Sequence, residues 1–297
     1  MYLVLGDPDH PVGSRVATML ATSGYEVTVV PNIVSEPIQF SWWLNVDNSK
    51  SEFFLQDRSR IHSDEVQGVF VCSPGAVGQS RLRAQDLVFF YWETRATLLA
   101  WLWSLECPVI NRYSPAAWFR GNPPLQFWGA ALTQSGLSFV DCLFTNVEED
   151  LERFRNLGKD FFYAPLTSGK RFRMSTNEHW RQLITSPCRL PVHLMVEPTE
   201  SYSACLVGGC AVWNGQPFEG HGKLESAMRL FGALSGLSFV EIAFAVNGSE
   251  ARVIAIYPEP RLHLFDNASR ERVLTKLVRE LELQTHFPTS CRLHRRR

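Results

Sequence analysis

With 297 residues the chain is long enough for two or three sub-domains sharing cores, and 45% hydrophobic with 20% charged residues is ordinary globular composition. A formal net charge of −1 gives no field to gather nucleic acid or an anionic membrane surface, so neither is an expected partner. Seven cysteines without a C-x-x-C spacing imply neither a zinc site nor a disulfide framework.

The first element is a short apolar strand at YLVL, followed by the loop GDPDHPVGS, the helix RVATMLATSG and a second strand, YEVTVV. This β-α-β start implies a parallel, Rossmann-like layer. Its loop holds Gly6 and Gly13 but not G-x-G-x-x-G, and no acid closes the second strand, so a scaffold is expected rather than a dinucleotide site. MYLVLGDPDHPVG lacks the charged start and long apolar core of a signal peptide. A polar stretch from about 31 to 65 contains a hairpin and leads into the strand GVFVCSP. The helix from Asp86 to Leu105 follows; Glu93 and Arg95 interrupt its apolar run, which suits a buried helix better than a bilayer span. A reduced, cytoplasmic setting is expected.

The strand CPVINR comes next, then a helix for which Asn122 is the expected cap, with Pro123 at its first position and Gly136 at its end. After the strand LSFVDCLFT, Asn146 and Glu149 form a capping pair for EEDLERFRNLG. The second half alternates strands (DFFYAPL, PVHLMVEP, YSACLVGGCAVW, LSFVEIAFAVN, ARVIAIYPEP) with the helix LESAMRLFGALSG, and Asn267 is the expected cap of a last helix. Leu274, Leu277, Val278 and Leu281 give that helix a core-facing stripe. The fold class is therefore α/β joined to α+β. A parallel layer over 1–110 precedes a central helical and mixed lobe over 111–190 and an antiparallel lobe over 191–297.

Candidate cleft residues are few. Lys170, Arg171 and Arg173 form a basic turn that either reaches into a cleft or stays solvated. Arg112, at the end of an apolar strand, is placed either for a ligand or for a structural salt bridge. Arg261 and His263 alternate along RLHLF as on one strand face, and with Glu259 they line a polar pocket or a solvent edge. His193 reads as a core histidine, and neither a Ser-His-Asp nor a Cys-His arrangement is favoured. The aromatics Trp42, Trp43 and Trp118 lie in polar, loop-like surroundings that mark a partner surface, for a homodimer or a docked peptide. The basic tail CRLHRRR is expected to be a solvated terminus.

The order of ETRATLLAWLWSLECPVINR, GNPPLQFWGAALTQSGLSFVDCLFTN, DFFYAPL, CLVGGCAV, GLSFVEIAFAVNG and VIAIYPEP resembles the ATP-grasp superfamily over about residues 65–285. The branch it is similar to holds ribosomal-protein-modifying glutamate ligases, glutathione synthetase and macrocyclases of microviridin-type peptides. The resemblance implies joining of a carboxylate to an amine or hydroxyl through an acyl-phosphate made from ATP and magnesium. Such chemistry needs cations for the phosphates and hard oxygen ligands for the metal.

Where the family carries those groups, this sequence has Pro123 and Ala164 for lysines and Ser203 for an arginine. Ala243, Ala255 and Tyr257 stand where the metal-holding aspartate, glutamate and asparagine are expected. A micromolar nucleotide is held by about 8 kcal/mol, and each bond to a charged partner supplies about 1.5–3 kcal/mol. Three missing cations therefore remove an amount comparable to the whole binding energy. The expectation is a pseudoenzyme: no catalytic residue, metal or cofactor, and a peptide, a second copy or a related enzyme as partner. The alternative is a divergent active ligase, in which ATP and magnesium are held by Lys170 or Arg171 with Glu241 and Glu259.

Overall fold

The computed structural model describes residues 1–7, 9–30, 39–44, 49–54, 60–72, 84–120, 123–157, 161–163, 172–174, 176–184, 192–196, 200–247 and 250–285. The parallel layer begins with β1 (Tyr2–Leu5), α1 (Pro11–Thr22) and β2 (Val27–Val30). A three-stranded antiparallel sheet of β3 (Gln39–Leu44), β4 (Ser49–Phe54) and β5 (Arg60–His62) interrupts it. The layer resumes with β6 (Gly68–Val71), α2 (Ala84–Ser104) and β7 (Val109–Ile110), giving the parallel order β2-β1-β6-β7. β1 and β6 are buried at every position, as parallel strands covered on both faces must be. Leu3, Leu5, Val69 and Val71 pack with Leu98, Trp101 and Leu102 of α2. Tyr2, Val4 and Phe70 pack on the opposite side with Val16 and Leu20 of α1.

The middle of the chain carries α3 (Pro115–Arg120), a 3-10 turn at Leu125–Trp128, α4 (Gly129–Ser135), β8 (Cys142–Thr145) and α5 (Glu148–Arg155). It continues with β9 (Phe161–Tyr163), β10 (Phe172–Arg173), α6 (Asn177–Ile184) and β11 (Val192–Val196). These strands form the antiparallel order β10-β9-β11-β8, with Leu151, Phe161, Trp180 and Leu194 clustered between α5, α6 and the sheet.

The last lobe is the antiparallel sheet β13-β12-β14-β15, built from β12 (Glu200–Val207), β13 (Cys210–Trp213), β14 (Phe239–Asn247) and β15 (Glu250–Tyr257). α7 (Gly222–Ser235) covers one face, where Met228 and Phe231 join Leu206, Val240 and Ile242 in one cluster. α8 (Asn267–Thr285) covers the other: its Val273, Leu274, Leu277, Val278 and Leu281 pack with Cys205 and Val207 as well as with Tyr2 and Phe70. The last helix is thus shared between the first layer and the last lobe.

Several local expectations change. Asp266, not Asn267, caps α8: its carboxylate accepts from Ser269 N at 2.8 Å, Ser269 Oγ at 2.8 Å and Gly215 N at 2.7 Å. A carboxylate reaches the first-turn donors from the position before the helix, and here it also ties down the turn after β13. Val147, rather than Asn146, precedes α5, and Thr145 Oγ1 accepts from Val147 N at 2.9 Å. Asn122 lies outside the described residues, and the expected helix is divided into a 3-10 turn and α4, ending at Gly136 with φ of 79°. RLHLF is a 3-10 turn at Leu262–Leu264, so Arg261 and His263 share no strand face. Trp118 is core, with no exposed surface, because α3 lays it against Tyr113 and Arg95.

Asn111 fastens the first layer to the last lobe. Its side chain, 1% exposed, donates to Phe239 O at 2.5 Å and Pro258 O at 3.3 Å and accepts from Phe239 N at 2.8 Å. Replacing Asn111 by Ala strands both backbone groups of Phe239, each costing about 1–3 kcal/mol when buried and unpaired. The expected outcome is a loss of about 2–4 kcal/mol in urea unfolding; unchanged stability would refute this role.

Hydrogen bonds from Ser269 and Gly215 hold the Asp266 carboxyl below its ordinary value. A depressed folded pKa gives stability that is present above the unfolded pKa and lost as pH falls through the folded value. Asp266→Ala is therefore expected to lower the melting temperature at pH 7, with a deficit that narrows below about pH 4. A deficit constant with pH contradicts the assignment.

Candidate functional site

The last lobe's sheet brings one polar constellation together. On β14, Glu241 lies across from Cys205 of β12 and Tyr257 of β15, and two residues on, Ala243 lies across from Ser203 and Ala255. The chain leaving β15 turns through Pro258–Pro260 and delivers Arg261 back over the sheet.

Glu241 is 1% exposed, yet its carboxylate is fully engaged. Oε1 accepts from Arg261 Nη2 at 2.5 Å and from Ser203 Oγ at 3.2 Å. Oε2 accepts from the backbone N of Arg261 at 2.8 Å and from its Nε at 3.2 Å. The guanidinium therefore grips both oxygens, the geometry for which arginine is suited. Its central carbon lies 3.5 Å from the centre of the Tyr257 ring, so the cation is also covered on one face by π density. The Cys205 thiol, across the sheet, is pushed well above its usual range, first by burial and then by the Glu241 charge.

Glu259 belongs to a different neighbourhood. The Cys72 thiol is pushed up to about 12, first by burial and then by Glu259, and burial with Glu259 also raises the Tyr113 phenol. Tyr113 donates to Pro258 O at 3.3 Å. Among the described residues no group of three or more His, Cys, Asp or Glu side chains is placed to hold a metal ion.

The other sequence candidates scatter. Arg112 closes the C-terminal end of α2, donating to the carbonyls of Trp103, Leu105 and Cys107 at 3.1, 3.0 and 3.1 Å. Arg173 is exposed on β10, paired with Phe162 in the sheet. His263 is exposed in the 3-10 turn. Pro123 is buried, while Ala164, Lys170 and Arg171 lie outside the described residues. In the first loop, a Cβ at Gly13 would meet Cys72 Sγ at 2.6 Å and one at Gly6 would meet Cys72 Cβ at 2.8 Å. Those glycines make room for the buried thiol.

The sequence singled out Glu241 and Arg261 separately but not their pairing, because 20 residues and a strand turn separate them. It missed Ser203 as a donor to Glu241. The available signal was its register: Ser203 and Glu241 fall on neighbouring strands of an antiparallel run.

Magnesium takes oxygen ligands in near-octahedral geometry. The positions expected to supply them are Ala243, Ala255 and Tyr257, and the adjacent carboxylate is saturated by an arginine and a hydroxyl. These residues do not fit the metal.

Removing the Arg261 cation leaves Glu241 buried and unpaired. A wholly buried pair broken this way costs about 3–5 kcal/mol; Arg261 is one-third exposed, so about 2–4 kcal/mol is expected for Arg261→Met. Glu241→Gln combined with Arg261→Met should recover most of the loss. Urea midpoints check this; an Arg261→Met midpoint equal to wild type, or a double variant that recovers nothing, excludes a structural ion pair.

No family model matches the sequence, and no curated protein matches it either. Solved structures do. The macrocyclase MdnC from Microcystis aeruginosa MRC, bound with precursor peptide MdnA, aligns with a TM-score of 0.73 at 15% identity, over 93% of this chain and 99% of that one. A RiPP-associated ATP-grasp ligase of Chryseobacterium gregarium, in complex with ADP and a leader and core peptide, gives 0.72 at 15% identity, over 94% and 96%. The ATP-grasp ligase PsnB, complexed with a phosphomimetic variant of its minimal precursor, Mg and ADP, gives 0.72 at 18%, over 96% and 98%. At these identities the likeness carries the fold alone.

Proposed function

We infer the function of this chain from two premises, the ATP-grasp fold it possesses and the side chains of its last lobe. It is a peptide-binding protein on the scaffold of peptide-modifying ATP-grasp ligases, acting in the cytoplasm beside a related enzyme. Standard ATP- and magnesium-dependent ligation is absent from it. The observation that carries this reading is the closed Glu241–Arg261 pair, bordered by Ala243, Ala255 and Tyr257. A guanidinium occupies the carboxylate's lone pairs, so a divalent ion has to displace a bidentate ion pair to gain one ligand. The peptide half is supported by the neighbours, which were solved with precursor, leader or core peptides.

Those same neighbours favour a second reading, and they support it better than they support a chain without chemistry. They are a macrocyclase and ligases, and two of them hold ADP. On this reading the chain is a divergent ligase forming an amide or ester through an acyl-phosphate. Lys170 or Arg171 then supplies the strand cation, Glu241 and Glu259 supply the metal carboxylates, and Arg261 has to leave Glu241.

Calorimetry with ATP, ADP and magnesium separates the two. The expected result is no magnesium-dependent micromolar binding, while labelled peptides made from short reading frames beside the gene bind in fluorescence anisotropy. Magnesium-dependent nucleotide binding, with ADP released on adding such a peptide and lost in Lys170→Ala and Glu241→Ala, establishes the ligase instead. Failure to bind any such peptide removes the peptide half of both.

A further inference from the structure

A cavity of about 480 Å³ opens at the N-terminal ends of β6 and β7, between the parallel layer and the three-stranded sheet. Val66 and Cys107 in its wall precede β6 and β7, whereas Asn111 and the lobe it fastens follow β7. The cavity is therefore at the other end of the parallel strands from the Glu241 constellation.

Bonds already made hold its walls. Ser63 opens the 3-10 turn Ser63–Glu65, and its Oγ accepts from Ser51 N at 3.0 Å. Ser104 ends α2 and donates to Trp101 O at 2.7 Å. Arg112 caps the carbonyls of Leu105 and Cys107 beside it. Val66 and Leu105 are buried and give the cavity an apolar side. Burial pushes the Cys107 thiol up to about 11, so it stays neutral and extends that side.

Three charges line the same space without cancelling one another. Lys50 of β4 makes no ion pair with Asp64 or Glu106, and neither acid is ion-paired among the described residues. Trp43, 56% exposed, lies across from Lys50 in the sheet and flanks the lysine with an aromatic surface. Opposite charges that share a cavity without touching are complementary to a ligand carrying both signs. One lysine against two acids leaves one negative charge in excess. The matching ligand has one anionic and two cationic groups, and the volume is that of a small-molecule site.

We propose that this cavity binds a free basic amino acid. Its α-carboxylate meets Lys50 and the hydroxyl hydrogen of Ser63, and its two ammonium groups meet Asp64 and Glu106. The aliphatic stem between the ammonium groups lies along Val66 and Leu105, as such stems do on apolar surface.

Thermal melting and calorimetry of the full chain with L-lysine test this, at constant ionic strength. Three relatives serve as controls. Cadaverine lacks the carboxylate, L-norleucine lacks the side-chain ammonium, and Nα-acetyl-L-lysine mimics the end of a peptide. L-lysine is expected to raise the melting temperature by binding the folded chain, and each relative to bind at least about tenfold more weakly. Lys50→Met should bring L-lysine down to the level of cadaverine. Asp64→Asn with Glu106→Gln should weaken L-lysine at least about tenfold. All three side chains are exposed, so the melting of the unliganded variants should match wild type. Absence of saturable L-lysine binding at millimolar concentration overturns the proposal. So does cadaverine binding as tightly as L-lysine, which is attraction of any cation, or Nα-acetyl-L-lysine doing so, which is recognition of a peptide end. Binding indifferent to these variants overturns it as well. None of these results bears on nucleotide or peptide binding at the Glu241 lobe.

Discussion

A carboxylate cannot be left charged and unpaired inside a protein, and the last lobe is organised around that constraint. Glu241 sits on an inner strand of a four-stranded sheet with essentially no exposed surface. Desolvating it costs several kcal/mol unless the charge is met by a cation and the remaining lone pairs by other donors. Four hydrogen bonds from Arg261 and Ser203 meet that demand. Arg261 reaches Glu241 because the chain after β15 folds into a 3-10 turn, and Tyr257 offers the guanidinium a flat ring to lie on. The small side chains at Ala243 and Ala255 belong to the same arrangement. One arginine neutralises the Glu241 charge.

The same region joins the lobes. Asn111 ends the last strand of the parallel layer and bonds to Phe239 at the start of β14 and to Pro258 beyond β15. α8 fills the space between the first layer and the last sheet with one apolar stripe. Because Glu241 lies two residues after Phe239, the polar constellation is held between the Asn111 contact and the α8 cluster. On the proposed reading, a scaffold this firmly closed serves recognition rather than turnover.

The periodic elements were legible along the chain. The β-α-β start, the paired strands at CLVGGCAVW, the helix ending at Gly236 and the stripe on α8 all follow from spacing and turn residues. The caps slipped by one residue at Asn146 and Asn267, because cap identity depends on which donors the side chain reaches rather than on residue type alone. Trp118 was misplaced for a related reason: its polar sequence neighbours suggested a loop, and α3 turned it into the core. Trp43 does remain exposed, and so do Phe89, Phe90, Trp92 and Trp103, which lie on the helix whose apolar composition suits a buried one.

The class of fold and the order of its layers can be read along the chain, because periodicity and residue identity are local properties; that Ala243, Ala255 and Tyr257 stand where ionisable residues are expected is what the resemblance implies. Packing settled that Glu241 and Arg261 form a closed pair with Ser203, that Arg112 caps a helix, and that Phe89, Trp92 and Trp103 of α2 stay exposed. Each of these depends on which distant groups the packed strands bring within about 3 Å, and charge and hydrogen bonding act over that distance rather than along the chain.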